Sequence, residues 1–141
     1  LKEFLNTCPD NPEDIPFLPY WNAAQMLQTK IQCFEFKNGK GVRFVTQYGQ
    51  AAYPINNNGL FYTFQGMTSD DAYYVAAVFP VSHPSLPENG DNPPDGDWDA
   101  FFNNFVPYIT NMEQQINRQP DNTFNPALNL LDDLIKSLQV K

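Results

Sequence analysis

The stretch "GLFYTFQGMTSDDAYYVAAVF", from Gly59 to Phe79, places two runs of aromatic and branched residues on either side of a polar turn. Such runs are typical of β-strands, and "TSDD" supplies residues that favour a hairpin turn. If Met67 pairs with Ala72, side chains alternate so that one face is wholly apolar and the other is mixed. The apolar face then carries Leu60, Tyr62, Phe64, Val75, Ala77 and Phe79, and the mixed face carries Phe61, Thr63, Gln65, Tyr74, Ala76 and Val78. We predict an antiparallel hairpin that is covered on the apolar side only.

An earlier hairpin is predicted around "KNGKG", because Asn-Gly supplies the backbone conformation of a tight turn. Its strands are predicted over residues 26–36 and 42–48. A three-residue loop would place four apolar residues on one face, whereas a two- or four-residue loop would pair the phenylalanines with polar partners. We predict the three-residue loop, with Phe34, Phe36, Val42 and Phe44 on one face.

Two helices are predicted near the end of the chain. Apolar residues recur at helical spacing; they are Trp98, Phe101, Phe102, Phe105, Ile109, Met112 and Ile116. Pro107 should kink or divide this helix, because its ring clashes with the carbonyl four residues earlier. A second helix is predicted to begin with Asn125 as N-cap and Pro126 at the first helical position. Its apolar face is Leu128, Leu131, Leu134, Ile135 and Leu138.

These elements predict an α+β fold in a single domain of 141 residues. An antiparallel sheet of about four strands, made of two hairpins, has one face covered by the two C-terminal helices. The segments are a proline-rich extended arm (1–25), expected to lie against the sheet because it is too apolar for a disordered tail, the sheet (26–80), a proline- and aspartate-rich loop (81–97) and the helical cover (98–138).

The charge of the chain argues against two classes of partner. Its 16 acidic and 8 basic residues give a net charge of −8, which disfavours nucleic acid and anionic lipid surfaces. No apolar run approaches the roughly 18 residues of a membrane span, so we expect a soluble chain. It begins at Leu1 without a methionine, which a removed signal peptide, an upstream lipid anchor or an arbitrary boundary would each explain.

Two cysteines, Cys8 and Cys33, occur in a chain rich in Asn and Pro and poor in Lys. We predict a disulfide between them, the alternative being two separate thiols with Cys33 in the core. The disulfide and the composition together predict an extracytoplasmic location, secreted or at the cell surface.

Alternating carboxylates in "DNPPDGDWDAFF" raise the question of calcium. Asp95, Asp97 and Asp99 match the first three ligand positions of an EF-hand, but Ala100 and Val106 stand where Gly and Glu are needed. An EF-hand is therefore excluded, and a different calcium site remains a hypothesis. The alternative is that Asp97 or Asp99 caps the following helix.

No set of residues in the sequence points strongly to a catalytic site. His83, the single histidine, lies near Ser82 and Ser85 without a nucleophile motif, so local hydrogen bonding is the favoured interpretation. The acidic pairs at positions 70–71 and 132–133 could suggest a glycosidase, but adjacent carboxylates in a turn and on a helix are more simply solvated. Tyr53, Tyr73 and Tyr74 are the tyrosines expected to be exposed, and they could contact a partner.

The run "NNNGLFYTFQGMTSDDAYYVAAVFPVSHPSLP", with "FNPALNLLDDLIKSL" after it, resembles uncharacterised bacterial secreted proteins and lipoproteins over about residues 20–138. The order of sheet and closing helix is also similar to PsbP-like domains in topology. Neither resemblance implies an activity. We therefore expect a non-enzymatic binding or self-assembly domain that uses the mixed face or edge of the sheet. The alternative is a polysaccharide-acting enzyme or carbohydrate-binding module that uses the aspartate-rich loop and exposed tyrosines.

Overall fold

The computed structural model describes all 141 residues, from Leu1 to Lys141. The strands are β1 (Ala24–Gln25), β2 (Thr29–Phe36), β3 (Gly39–Thr46), β4 (Tyr48–Gly49), β5 (Phe61–Thr68) and β6 (Tyr74–Pro80). The helices are α1 (Lys2–Thr7), α2 (Trp98–Asn103), α3 (Phe105–Arg118) and α4 (Leu128–Lys136), and a 3₁₀ turn spans Asp121–Thr123. None of the helices combines the length and the apolar character that a bilayer crossing requires.

The predicted α+β fold is confirmed. Strands β2, β3, β5 and β6 form one antiparallel four-stranded sheet in the order β2-β3-β5-β6, and β1 pairs with β4 separately. The two predicted hairpins are β2–β3 and β5–β6, and they join through β3 and β5. Strands β2 and β6 are therefore the two edges of the main sheet.

The first hairpin turns through two residues rather than three, because Phe36 pairs with Gly39. The predicted loop length is wrong, and the error moves residues between faces. Phe34 and Phe36 pack on the helix side of the sheet, whereas Val42 and Phe44 pack on the opposite side.

Glycine explains why the shorter loop is stable. Phe34 and Phe36 oppose Gly41 and Gly39 rather than polar residues. A Cβ atom at either glycine would collide with an aromatic ring, that of Phe36 at Gly39 and that of Phe64 at Gly41. The rings therefore lie directly over glycine backbone, an arrangement that buries apolar surface without a cross-strand side chain.

The second hairpin has the predicted faces but a shifted register. Met67 pairs with Tyr74, not with Ala72, so the pairing is displaced by two residues and every side chain keeps its face. The N–H of Thr68 donates to the carbonyl of Tyr73 at 3.0 Å, and the N–H of Tyr73 donates to Thr68 Oγ1 at 3.0 Å. These bonds join Thr68 to Tyr73, one residue pair nearer the turn than the pair of Met67 and Tyr74.

The C-terminal helices cover the apolar face of the hairpins, as predicted. Tyr62 and Phe64 share one core cluster with residues of α3 and α4, including Ile116 and Leu128. The long helical stripe is divided: α2 ends at Asn103, four residues before Pro107, where the proline ring would meet a helical carbonyl.

Helix α4 begins later than predicted, at Leu128. Asn125 is not its N-cap, because the backbone of Asn125 exchanges two hydrogen bonds of 2.9 Å with Ser82. Pro126 therefore precedes the helix instead of opening it. This short bridge ties the segment before α4 to the chain that leaves β6.

The mixed face of the sheet is covered as well, so the expectation of one covered face is wrong. The N-terminal segment packs there, in a second cluster of four buried residues, Leu5, Ile15, Val42 and Phe44. Thr63 and Gln65 are 0% exposed. The side chain of Gln65 exchanges two hydrogen bonds with the backbone of Leu18, at 2.8 and 3.0 Å, which holds the arm against β5.

The predicted disulfide between Cys8 and Cys33 is confirmed. Cys8 follows helix α1, which lies inside the segment predicted as an extended arm, and Cys33 lies in β2. The bond spans 25 residues and fixes the arm at a second point. The arm is therefore a structural layer of the sheet.

Candidate functional site: the open edge of the sheet

Strand β6 pairs with β5 on one side only. The phase of this pairing follows from its two ends, where Tyr73 accepts from the N–H of Thr68 and Val81 donates to the carbonyl of Leu60 at 3.3 Å. In an antiparallel ladder, alternate residues turn their N–H and C=O groups toward the same neighbour. The odd-numbered residues of β6 therefore bond to β5.

The even-numbered residues Tyr74, Ala76 and Val78 direct their N–H and C=O groups away from the sheet. Neither another strand nor a loop of the chain bonds to these groups. Pro80 adds one outward carbonyl but has no N–H. The strand thus presents three donors and four acceptors in a row, which we call the β6 edge.

The β6 edge lacks the features that usually block strand pairing. No charged residue occurs between Asp71 and Glu88. Val78 is 37% exposed, and no register irregularity interrupts the pairing of β6 with β5. Natural edge strands are commonly protected by charges, bulges, central prolines or covering loops. Here an edge with regular pairing and no charged residue lies open.

The opposite edge, β2, is protected in several ways. Its register is irregular between Thr29 and Gln32, and Lys30 has a φ of 55°. The N–H of Lys30 donates to Asn117 Oδ1 at 2.7 Å, and its ammonium forms an ion pair with Asp121 at 2.7 Å. Because the two edges of one sheet differ so strongly, the open edge is the candidate functional surface.

Two of the three predicted surface tyrosines belong to this region. Tyr73 is 54% exposed beside the start of β6, and Tyr74 opens the strand. Tyr53 is exposed elsewhere, with its ring 6.4 Å from that of Trp98 in α2. The predicted set is therefore divided between two surfaces.

The hydroxyl of Tyr74 is already engaged with its own sheet. It donates to Gln65 Oε1 at 2.8 Å. Burial, with a smaller contribution from Tyr48, raises the pKa of Tyr74 to about 12, so the group remains a donor at neutral pH. Tyr74 is nevertheless 36% exposed at the surface.

The aspartate-rich loop forms a helix cap and part of a small cleft. Asp97 is the N-cap of α2, where Oδ1 accepts from the N–H of Ala100 at 3.1 Å. Asp95 and Asp97 line a cleft of about 190 Å³ with Phe101, while Asp99 lies in the first turn of the helix. No three His, Cys, Asp or Glu side chains lie together as a metal-ligand set. Calcium binding at these aspartates stays a prediction.

The His83 side chain is buried and makes local hydrogen bonds. Its Nδ1 accepts from the N–H of Ser85 at 3.1 Å and contacts Ser85 Oγ at 2.7 Å. Its Nε2 lies 2.9 Å from Thr123 Oγ1, and burial lowers the pKa of the ring. No carboxylate orients the imidazole, so the arrangement stabilises the loop and does not form a catalytic triad.

A buried charged cluster is the feature that sequence reasoning missed. Asp132, predicted to be solvated, is 5% exposed and accepts from the hydroxyl of Tyr62 at 2.8 Å. Arg43, 2% exposed, lies 3.3 Å from the same carboxylate and donates to Asp121 at 2.7 Å. Leu134, predicted to be apolar core, is 54% exposed instead.

Two sequence signals could have found this cluster. Asp132 lies within the helical stripe of Leu128, Leu131 and Ile135, and Arg43 alternates with buried apolar residues along β3. The cluster borders a polar cleft of about 390 Å³. Arg43 also donates to the carbonyl of Lys30 at 2.6 Å, so most of its hydrogen-bonding capacity is used inside the protein. The charged cluster joins α4 and the 3₁₀ turn to the sheet.

The cluster shifts the pKa values of Tyr62 and Asp121 in opposite directions. Burial and the charge of Asp132 raise the pKa of Tyr62 above its usual range. Burial alone would raise the pKa of Asp121, but hydrogen bonds and charges from Lys30 and Arg43 outweigh it and lower the pKa. The carboxylate of Asp121 is therefore charged at neutral pH.

An aromatic groove lies between the arm and β4. It encloses about 420 Å³, and its lining includes Phe17, Trp21, Tyr48 and Asp14. Tyr20 stands beside it and is 88% exposed. Such a groove offers flat rings and a few polar groups, which suits small ligands.

Comparison with known proteins leaves the predicted resemblances to bacterial secreted proteins and to PsbP-like domains as predictions. No protein-family model, no curated protein and no solved structure matches this chain.

Proposed function

We propose that this protein is a non-enzymatic binding domain, and that its partner binds as an additional strand beside the β6 edge. The observation that carries the proposal is the row of unbonded main-chain groups at Tyr74, Ala76 and Val78 on an edge without charges. An extended segment placed beside such an edge forms main-chain hydrogen bonds, while side-chain contacts give specificity.

The chemistry of the edge favours an extended, apolar partner strand. Tyr74 and Val78 offer exposed apolar side chains on one face of β6, and Phe79 is half-buried on the other. A partner strand would cover all three and also shield the outward amides from water. The net charge of −8 disfavours acidic partners elsewhere on the surface, but the edge itself is uncharged.

We further propose that the protein acts outside the cytoplasm. The disulfide between Cys8 and Cys33 supports this, because such bonds persist in oxidising compartments. Labelling of thiols in protein taken from its source, denatured without reductant, tests it: no labelling is expected.

The strand-addition proposal is tested with a peptide probe. The probe carries residues 72–82 between lysine pairs that keep it in solution, with a fluorophore at one end. We expect rising fluorescence anisotropy with the wild-type protein. Ala76→Pro, which removes one outward N–H, should abolish binding, while Ala76→Thr retains that N–H and should still bind.

The control separates pairing from side-chain size, since both substitutions enlarge Ala76 and differ in the amide. Pro is tolerated at edge positions whose N–H faces solvent, so both variants should fold, as thermal unfolding would show. Equal probe binding by both variants, or no binding by the wild type, would contradict strand addition.

A second candidate function is recognition or cleavage of a polysaccharide. Asp95 and Asp97 share one cleft, as an acid–base pair would require, and the aromatic groove offers rings at Trp21 and Tyr20. Titration with cellohexaose and chitohexaose, followed by tryptophan fluorescence and product analysis, tests it. Loss of the signal in Trp21→Ala would locate binding in the groove, and loss in Asp95→Asn would locate it in the loop. No signal with either sugar would count against this candidate.

A further inference from the structure

We infer that the occupant of the β6 edge is the β6 edge of a second copy of this chain, paired antiparallel about a two-fold axis at Ala76. The inference rests on the proposed function, because it names the partner for the same edge. It also predicts which atoms meet, so it can fail while strand addition holds.

The pattern of outward groups selects the axis. The residues with both an outward N–H and an outward C=O are Tyr74, Ala76 and Val78, and Ala76 is the middle one. With the axis at Ala76, each Ala76 pairs with its counterpart, and Tyr74 of each copy pairs with Val78 of the other. All of these groups bond, giving about six main-chain hydrogen bonds.

Neighbouring axes are less favourable. An axis at Ala77 would place Pro80 opposite Tyr74 of the second copy, and Pro80 has no N–H to donate. An axis at Tyr74 would bring the turn that carries Asp70 and Asp71 alongside the second strand. The Ala76 axis keeps both the proline and these carboxylates outside the central ladder.

Side chains are complementary about this axis. On the sheet face that carries Thr63, the ring of Tyr74 in one copy meets the isopropyl group of Val78 in the other. The two contacts of this kind lie on either side of the paired Ala76 residues. On the helix face, Tyr73 of one copy meets Phe79 of the other. Both contacts cover side chains that are exposed or half-buried in the single chain, and aromatic and branched cross-strand pairs stabilise antiparallel pairing.

The uncharged edge lowers the electrostatic cost of bringing two copies together at this surface. Two chains of net charge −8 repel each other, and the segment between Asp71 and Glu88 lets them meet without opposed carboxylates. Association should therefore strengthen as salt screens the remaining repulsion. The outer edges of the resulting eight-stranded sheet would both be β2, which is protected, so assembly should stop at the dimer.

Site-specific cross-linking tests the axis directly. The chain has no free cysteine, so single cysteines can be introduced without competition from native thiols. Paired residues at Ala76 would have Cα atoms about 5.5 Å apart, within the range of a disulfide. Ala76→Cys should give a covalent dimer under mild oxidation, and Ala77→Cys, which faces Val75 of the second copy, should not.

Analytical ultracentrifugation over a concentration series accompanies the cross-linking. We expect a monomer–dimer equilibrium that strengthens from 0.1 to about 1 M NaCl and is lost in Val78→Lys, a substitution at an exposed position that should leave the fold intact. Cross-linking through Ala77→Cys but not Ala76→Cys would overturn the proposed axis.

The remaining outcomes separate the two proposals. A chain that stays monomeric up to about 1 mM, yet binds the peptide probe through the β6 edge, would overturn the second copy as occupant and leave strand addition standing. A dimer that is unaffected by Val78→Lys and does not cross-link through Ala76→Cys would overturn this inference, and failure of the probe to bind would overturn strand addition as well.

Discussion

Asp132 is the single residue whose charge most directly joins a helix to the sheet. Its carboxylate accepts from Tyr62 and faces Arg43 across 3.3 Å in a buried environment. Removing Asp132 leaves the buried hydroxyl of Tyr62 without its acceptor and leaves Arg43 with Asp121 as its remaining carboxylate partner, so the loss exceeds the net value of the pair. The residue next to it, Asp133, is exposed.

This contrast gives a matched pair of substitutions. Asp132→Ala should lower the free energy of unfolding by about 3 to 5 kcal/mol, whereas Asp133→Ala should change it by less than about 0.5 kcal/mol. Chemical denaturation at neutral pH measures both. Similar effects from the two substitutions would show that the buried cluster does not hold α4 in place.

His83 gives the residue-scale prediction for pH. Its Nδ1 accepts from the N–H of Ser85, and Thr123 Oγ1 donates to the carbonyl of Pro120 at 2.7 Å, so Thr123 accepts from Nε2–H. Protonation would place a hydrogen on Nδ1 and break the bond from Ser85. The neutral ring is therefore favoured, in agreement with a pKa that burial lowers.

The sign of the pH dependence follows. An unfolded histidine has a pKa of about 6.5, and the folded pKa is lower, so folding stability is complete above about 6.5 and declines as pH falls through the folded pKa. His83→Asn retains an acceptor near Nδ1 but does not titrate, and its stability should decline less over the same range. Melting temperatures between pH 7 and 5 test this, and equal slopes for both proteins would contradict it.

At the scale of elements, the arm is held to β5 by one amide side chain. Gln65 supplies both the acceptor for the N–H of Leu18 and the donor for its carbonyl. Gln65→Ala should cost about 1 to 3 kcal/mol, because the part-buried main-chain groups of Leu18 and the hydroxyl of Tyr74 lose their partner. Gln114→Ala is the control, since Gln114 is exposed on α3. Denaturant titration should separate the two, and a neutral Gln65→Ala would mean that the disulfide and the apolar contacts are enough to hold the arm.

Periodicity predicted the elements well because it reports which side chains share a face. The second hairpin kept its faces despite a register error, because a shift of two residues preserves alternation. The first hairpin did not, because Gly39 and Gly41 accommodate aromatic rings that a pattern of side chains cannot reveal. Asn125 was likewise predicted as an N-cap from the residues that follow it, but its backbone forms hydrogen bonds with Ser82.

At the scale of the whole molecule, the covering of the sheet and its strand order decide which surface is open. The arm has no periodicity that indicates which face of the sheet it covers, so the burial of Thr63 and Gln65 could not be inferred from their strand alone. The candidate site was predicted only as a mixed face or an edge. We place the candidate site at β6 because β3 and β5 join the two hairpins in the centre of the sheet and leave β6 at an edge. Long-range packing sets this arrangement.

Residue-resolved amide hydrogen exchange, in dilute protein and with saturating peptide probe, tests the central claim that the β6 edge is an open pairing surface. In dilute protein, the amides of Tyr74, Ala76 and Val78 should exchange quickly, while those of Val75, Ala77 and Phe79 are protected by β5. With the probe, the first three should become protected and the others should change little. Protection of all six amides in dilute protein at concentrations where the chain is monomeric, or rapid exchange at Tyr74, Ala76 and Val78 with the probe present, would contradict the account.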